Sequence, residues 1–173
     1  MTNPITICGS WWPAIVLRQF TPQDYENLRT LVMGNRAHLR PMQDVHCLTG
    51  RELEDWLQAT VDGSDPSRTR FGVWHKGALV GEISLDCLRE GFSTVGYWVG
   101  KEHTRQGIAT SALISLSRYV FSSTKEETLR ATVNKENVAS QKVLGRAGFH
   151  IEVHDDTQYM VCRLDKAKKT AAT

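Results

Sequence analysis

The stretch VGYWVGKEHTRQGIATSAL, residues 95–113, decides how this chain folds. An aromatic, β-branched run ends at Gly100, and a short polar loop then leads into a helix with Ala109, Leu113, Leu116 and Val120 along one side. The Gly107-Ile108-Ala109 handover is either a tight strand-to-helix turn or a cradle whose free amides meet an anion at the positive end of the helix dipole. Two common nucleotide cradles are absent. There is no G-x-x-x-x-G-K-[ST], and no G-x-G-x-x-G with an acidic residue about 20 positions on.

Upstream, RFGVWH (70–75), ALVGEISLDCL (78–88) and STVGYWV (93–99) are strand-like runs separated by Lys76-Gly77 and Arg89-Glu90-Gly91, which predicts an antiparallel meander. Before it, IVLRQF (15–20) predicts a strand, followed by a helix opened by Thr21-Pro22-Gln23-Asp24 and running to about Val32. A second helix is expected after Thr49, whose spacing to Glu52 is that of a capping box. Downstream, TLRATV (128–133), the helix NVASQKVLGRA (137–147) capped by Gly148, and the strands FHIEVH (149–154) and YMVCRL (159–164) complete the order. This predicts an α/β (α+β) domain with one mixed, mostly antiparallel sheet flanked by helices, a single domain over 1–173 with 1–14 and 166–173 peripheral.

With 173 residues, 40% hydrophobic, 23% charged and a net charge of +2, the chain suits one globular domain with its own core. No apolar run is long enough to span a membrane, and no broad basic face for nucleic acid is expected. The N-terminal residues lack the pattern of a secretory signal, so a cytoplasmic location is expected. Cys8, Cys47, Cys87 and Cys162 form no C-x-x-C pair and are expected to be reduced and mostly buried. The histidines show no metal-ligand spacing, so no metal is expected.

The element order, together with GYWVGKEHTRQGIATSAL (96–113) and NKENVASQKVLGRAGF (134–149), resembles the GCN5-related N-acetyltransferases, above all the branch of RimJ/RimL-like ribosomal-protein N-terminal acetyltransferases. The similarity extends from LRQFTPQDYENL (17–28) through NRAHLRPM (35–42) to GRAGFHIE (145–152). It implies a splayed fourth and fifth strand pair and acetyl-CoA as acetyl donor, with the loop Arg105, Gln106, Gly107, Ile108, Ala109 and Thr110 holding the pyrophosphate. Backbone groups near Trp98 and Val99 would pair with the pantetheine arm. Gly107 and Ala109 match the family's fixed positions, whereas Thr104 and Arg105 depart from the usual residues.

Acetyl transfer to an amine needs a neutral acceptor nitrogen and a proton for the leaving thiolate. The resemblance places Ser140 near the thioester sulfur as proton donor and Asn137 on the pantetheine arm; both residues also suit a plain helix start. The tyrosine used as acid elsewhere in the superfamily is replaced by Leu144. For the base, Glu82 on a central strand is the candidate, expected to face the cleft because burial of a carboxylate is costly. The Glu that many members carry before GYW is missing, since Thr94 and Val95 stand there. The acceptor wall would include Arg36, His38 and Arg40 after the first helix, with Tyr97 facing the substrate. The acceptor is expected to be a primary amine, either a protein N-terminus or a small metabolite or antibiotic. A catalytically silent acyl-CoA-binding module is the alternative, and a homodimer is left open.

Overall fold

Lys76 and Gly77 both take left-handed backbone, with φ of 51° and 80°. This is the geometry that folds one strand tightly back on the next, and here it pairs β3 (Arg68–His75) with β4 (Ala78–Cys87). The computed structural model describes residues 4–9, 13–39, 48–87, 93–154 and 158–167, so the predicted turn at 89–91 lies outside the described residues. The other strands are β1 (Thr6–Cys8), β2 (Val16–Gln19), β5 (Ser93–Val99), β6 (Thr128–Asn134), β7 (His150–His154) and β8 (Tyr159–Asp165). Together they form one sheet in the order β1-β2-β3-β4-β5-β6-β8-β7. Among the described residues only the β5–β6 contact is parallel, which makes the sheet mixed and mostly antiparallel as the sequence predicts.

Among the described residues, helices α1 (Tyr25–Leu39), α2 (Gly50–Asp62), α3 (Ile108–Ser123) and α4 (Val138–Arg146) cover the sheet. Strand alternation sends successive side chains to opposite faces. Phe71, Val73, Ile83, Leu85 and Val95 therefore meet Ile108, Leu113 and Leu116 of α3 and Leu144 of α4 in one cluster. Trp98 points the other way and packs with Leu28 and Val32 of α1 and Leu53 and Leu57 of α2.

Three sequence expectations change. The first helix continues past Val32 to Leu39, which is 1% exposed and extends the buried stripe by two more turns. Asn35, Arg36 and His38 thus sit on the helix rather than after it. The expected Thr49 capping box is not made: Gly50, the first residue of α2, takes a left-handed φ of 51°, and the Thr49 side chain makes no cap bond. At the first helix Thr21 is tied to Asp24 instead: its N–H and hydroxyl both donate to Asp24 Oδ2, at 2.9 and 2.8 Å, and Asp24 N–H donates to Thr21 O at 2.9 Å. Third, β1 was not foreseen, because three residues are too few to show a period. Cys162 is buried and Cys8 exposed, and both are free.

The feature that positions the site is the parting of β5 from β6. They pair only at Ser93–Leu129 and Thr94–Arg130, whereas β4 follows β5 to the Gly81–Val99 pair. Gly100 N–H extends that ladder, donating to Val80 O at 2.8 Å. β5 leans so closely on β4 that a side chain at Gly81 would collide with the Trp98 carbonyl oxygen and approach Val99 Cα to 3.0 Å. The missing Cβ is therefore required for the opening, which forms between the fourth and fifth strands when β1 is not counted.

Gly81→Ala should push β5 away from β4, since the nearest obstacle is backbone and cannot rotate aside. We expect a loss of about 1–3 kcal/mol in urea unfolding. An unchanged midpoint would show that β5 can yield at no cost.

Candidate functional site

The loop after β5 is shaped by its own backbone and polar side chains. Following a 3-10 turn at Lys101–His103, Thr104 Oγ1 donates to Lys101 O at 2.8 Å and Gln106 Nε2 donates to Glu102 O at 2.7 Å. Arg105 (φ 59°) and Gly107 (φ 79°) are both left-handed, so the chain turns sharply into α3. Gly107 is the helix N-cap and supplies no side chain to the first amides. Such amides lack intrahelical partners and stand at the positive end of the dipole. The Ile108 side chain, 1% exposed, anchors that turn in the core. Arg105, Gln106 and Gly107 are exposed, and Ala109 and Thr110 are half-buried. Gln106 is folded back on the loop, so its contribution is to hold the shape.

Beside this loop lies the open edge of β5. Residues in an antiparallel ladder alternate between pairing with the neighbour and facing away. Because Gly100 pairs with Val80, Trp98 turns its backbone groups toward β4, and Tyr97 and Val99 turn theirs toward the opening. The resemblance implies that backbone groups near Trp98 and Val99 pair with the pantetheine arm; in the ladder it is Tyr97 and Val99 whose backbone groups face the opening. Trp98 contributes through its side chain.

Tyr97 and Trp98 lie on opposite faces. The Tyr97 hydroxyl is 2.7 Å from Ser140 Oγ and donates weakly to Ser140 O at 3.2 Å. Burial pushes the Tyr97 phenol up to about 12, with the Ser140 hydrogen bond opposing it, so this phenol keeps its proton at neutral pH. The sequence reading expected Tyr97 to face the acceptor; it faces α4 and Ser140 instead, because its place in the strand fixes its side. Asn137 caps α4, its Oδ1 accepting from Ser140 N–H at 3.0 Å. Tyr97, Asn137 and Ser140 are thus brought together from two elements at the opening. Leu144 is buried on the same helix at 1% exposure.

On the other face, Glu82 is 3% exposed and does not open onto solvent as expected. Its Oε1 accepts from Arg70 Nη1 at 2.6 Å and its Oε2 from Trp98 Nε1 at 2.7 Å. These partners offset the burial cost that suggested a cleft-facing carboxylate. Four residues further along β4, Asp86 meets Arg68 with Nη2 to Oδ2 at 2.6 Å, and burial nonetheless raises the Asp86 carboxyl above its usual range.

The expected acceptor wall is partly described. Arg36 Nη2 donates to Leu48 O at 2.7 Å, tying the end of α1 to the residues before α2. His38 is half-buried on the same turn, and Arg40 lies outside the described residues. Asn35, which the resemblance places in the same acceptor-wall segment, accepts from Lys101 N–H at 2.7 Å and donates to Leu31 O at 2.8 Å, joining α1 to the loop. The Arg70 and Ser140–Tyr97 contacts were also missed. No local pattern singles out Arg70.

Among the described residues no cluster of three or more His, Cys, Asp or Glu side chains could hold a metal, and no helix is long and apolar enough to cross a membrane. A 620 Å³ cavity between β1, α3 and Lys166–Ala167 includes none of these site residues.

The Acetyltransferase (GNAT) domain model matches residues 14–150. Two Bacillus subtilis proteins whose names carry the words N-acetyltransferase are similar. YjcK is 36% identical over 87 residues, 47% of this chain and 48% of YjcK, so in that match the chain spans about half the length of its relative. YdaF, a ribosomal N-acetyltransferase in the words of its name, is 28% identical over 144 residues, 78% of this chain and 77% of YdaF. Mycobacterium smegmatis RimJ, solved with CoA-disulfide, has a TM-score of 0.76 at 19% identity, covering 95% of this chain and 90% of RimJ, and so shares the fold. The family match begins before β2 and reaches the start of β7, taking in both strands that part and the helices that follow them; the chain belongs to the GNAT acetyltransferase family.

Proposed function

We propose that the protein is an acetyl-CoA-dependent N-acetyltransferase that moves the acetyl group directly to a primary amine. The observation that carries this reading is the parting of β5 from β6, with an uncapped helix start at its mouth. An exposed strand edge can pair with an amide-bearing arm as with an added strand, and the first amides of α3 suit a pyrophosphate. The residues present therefore fit the donor: the loop 105–110 for its phosphates, Val99 and Tyr97 for the pantetheine amides, and Asn137 near the arm.

Ser140 is the proton donor to the departing thiolate. Tyr97 supports it: when the phenol donates to Ser140 Oγ, the Ser140 proton is released to point toward sulfur. The high Tyr97 pKa makes the phenol a poor terminal acid, so its contribution is orientation. Holding amine and thioester together in one complex supplies much of the rate, which leaves only proton movements to individual side chains. Among acceptors, the N-terminal amine of a protein is favoured over a small amine by the ribosomal acceptor in the name of YdaF.

The deciding experiment is thiol release from acetyl-CoA by the purified protein across peptides with varied N-termini and a panel of small amines. Peptide-dependent release is expected; donor binding without release would point to a silent acyl-CoA-binding module. Ser140→Ala should lower kcat about a hundredfold with little change in donor affinity, and equal turnover would remove Ser140 from the mechanism. Arg105→Gly separates strain from charge: relief of the left-handed backbone should stabilise the fold by about 0.5–1 kcal/mol, while loss of the guanidinium weakens donor binding. Unaltered affinity would make Arg105 a plain loop residue.

The raised Tyr97 pKa also predicts a pH effect. A folded-state pKa above the unfolded value gives stability that is complete below pH 10 and is lost as pH rises through about 12. Unfolding curves of Tyr97→Phe should show less of this alkaline loss than the parent; parallel losses would refute it.

A further inference from the structure

Trp56, Arg70, Glu82 and Trp98 form a chain of contacts from α2 to the edge of the opening. The Arg70 guanidinium lies 5.3 Å from the centre of the Trp56 ring and pairs with Glu82 at 2.6 Å. Glu82 in turn accepts from the Trp98 indole N–H at 2.7 Å. The Arg70 and Glu82 side chains are only 14% and 4% exposed, so the pair is shielded from bulk water.

We propose that Glu82 is a positioning residue for the donor-binding edge, and that the Arg70–Glu82–Trp98 network fixes how far β5 stands from β6. The inference rests on the acetyl-CoA reading above. Both carboxylate oxygens are committed to donors, one of them charged, and taking a proton from an acceptor amine would require breaking one of these bonds. The geometry serves a different purpose. Trp98 sits between Tyr97 and Val99, whose backbone groups face the opening, and its own backbone is paired with β4. Holding the indole from the β4 side restrains the two peptide groups that would meet the pantetheine. Arg70 neutralises the buried carboxylate, and Trp56 ties that arginine to the helix pair expected to border the acceptor. Without the network β5 would retain its ladder to β4, but the strand end would be free to twist and close the gap.

This assignment separates from that of a general base by a split between binding and turnover. Glu82→Gln keeps an acceptor for the indole but loses the charge facing Arg70. Trp98→Phe keeps an aromatic ring in the cluster and removes the N–H together with the five-membered ring that carries it. Acetyl-CoA affinity is measured by calorimetry, and kcat, KM and the pH dependence of kcat/KM with the best peptide acceptor. Each variant is expected to raise Kd and KM for acetyl-CoA about five- to twentyfold with kcat within tenfold of the parent. The double variant should be no weaker than the weaker single one, as groups in one network are not additive. The acidic limb of the pH profile should survive in Glu82→Gln. A fall in kcat of a hundredfold or more with unchanged Kd and loss of that limb would make Glu82 the base and overturn the proposal. Unchanged acetyl-CoA affinity in folded Trp98→Phe would overturn it as well, even if Glu82→Gln does not fold. Failure of the parent protein to bind acetyl-CoA would be the failure of the underlying reading, seen before any variant is made.

Discussion

β5 cannot follow both of its neighbours, and the outcome is decided by how closely it leans on β4. Gly81 removes the one Cβ that would block the approach, Gly100 adds a ladder bond to Val80, and the Trp98 indole is drawn toward Glu82. The cost falls on the other side. Backbone groups of Tyr97 and Val99 lose β6 as a partner, and unsatisfied backbone groups need another partner or water. A strand edge left open inside a domain, rather than at its rim, presents those groups where a single extended ligand can lie between two strands.

The pleat then divides labour between the two faces. Tyr97 and Trp98 are consecutive, so they must point in opposite directions. One face receives Tyr97 and the α4 start, where the phenol, Ser140 and the Asn137 cap share hydrogen bonds. The other receives Trp98, with a buried ion pair that would be unfavourable if either partner were missing. The Tyr97–Ser140 contact and the buried ion pair are thus separated by the thickness of one strand, joined through the backbone of β5.

The loop that follows shows how the departures at Thr104 and Arg105 are accommodated. Arg105 adopts a left-handed conformation that glycine takes at less cost, and Thr104 and Gln106 spend their side chains on Lys101 and Glu102 carbonyls. The turn into α3 keeps its shape through bonds internal to the loop, while Asn35 secures its entrance from α1. The features that suit an anion, Gly107 and the uncapped first turn, are independent of both departures.

Much of the architecture was legible in order and period: the Lys76-Gly77 hairpin, the strand–loop–helix handover at 95–113, the Gly148 cap and the mixed sheet all follow from local spacing. Gly107, Ala109, Asn137 and Ser140 were legible as candidates for a site only through their family resemblance, since each is also an ordinary helix-start residue. The tertiary structure decided what pairs across distance. Whether Glu82 faces solvent or Arg70 depends on the register of β3 on β4, and whether Tyr97 meets an acceptor or Ser140 depends on where α4 begins against β5. A local pattern fixes the side of the strand on which a residue lies; its partner is fixed only when another strand or helix, brought there by the whole chain, is packed against that side.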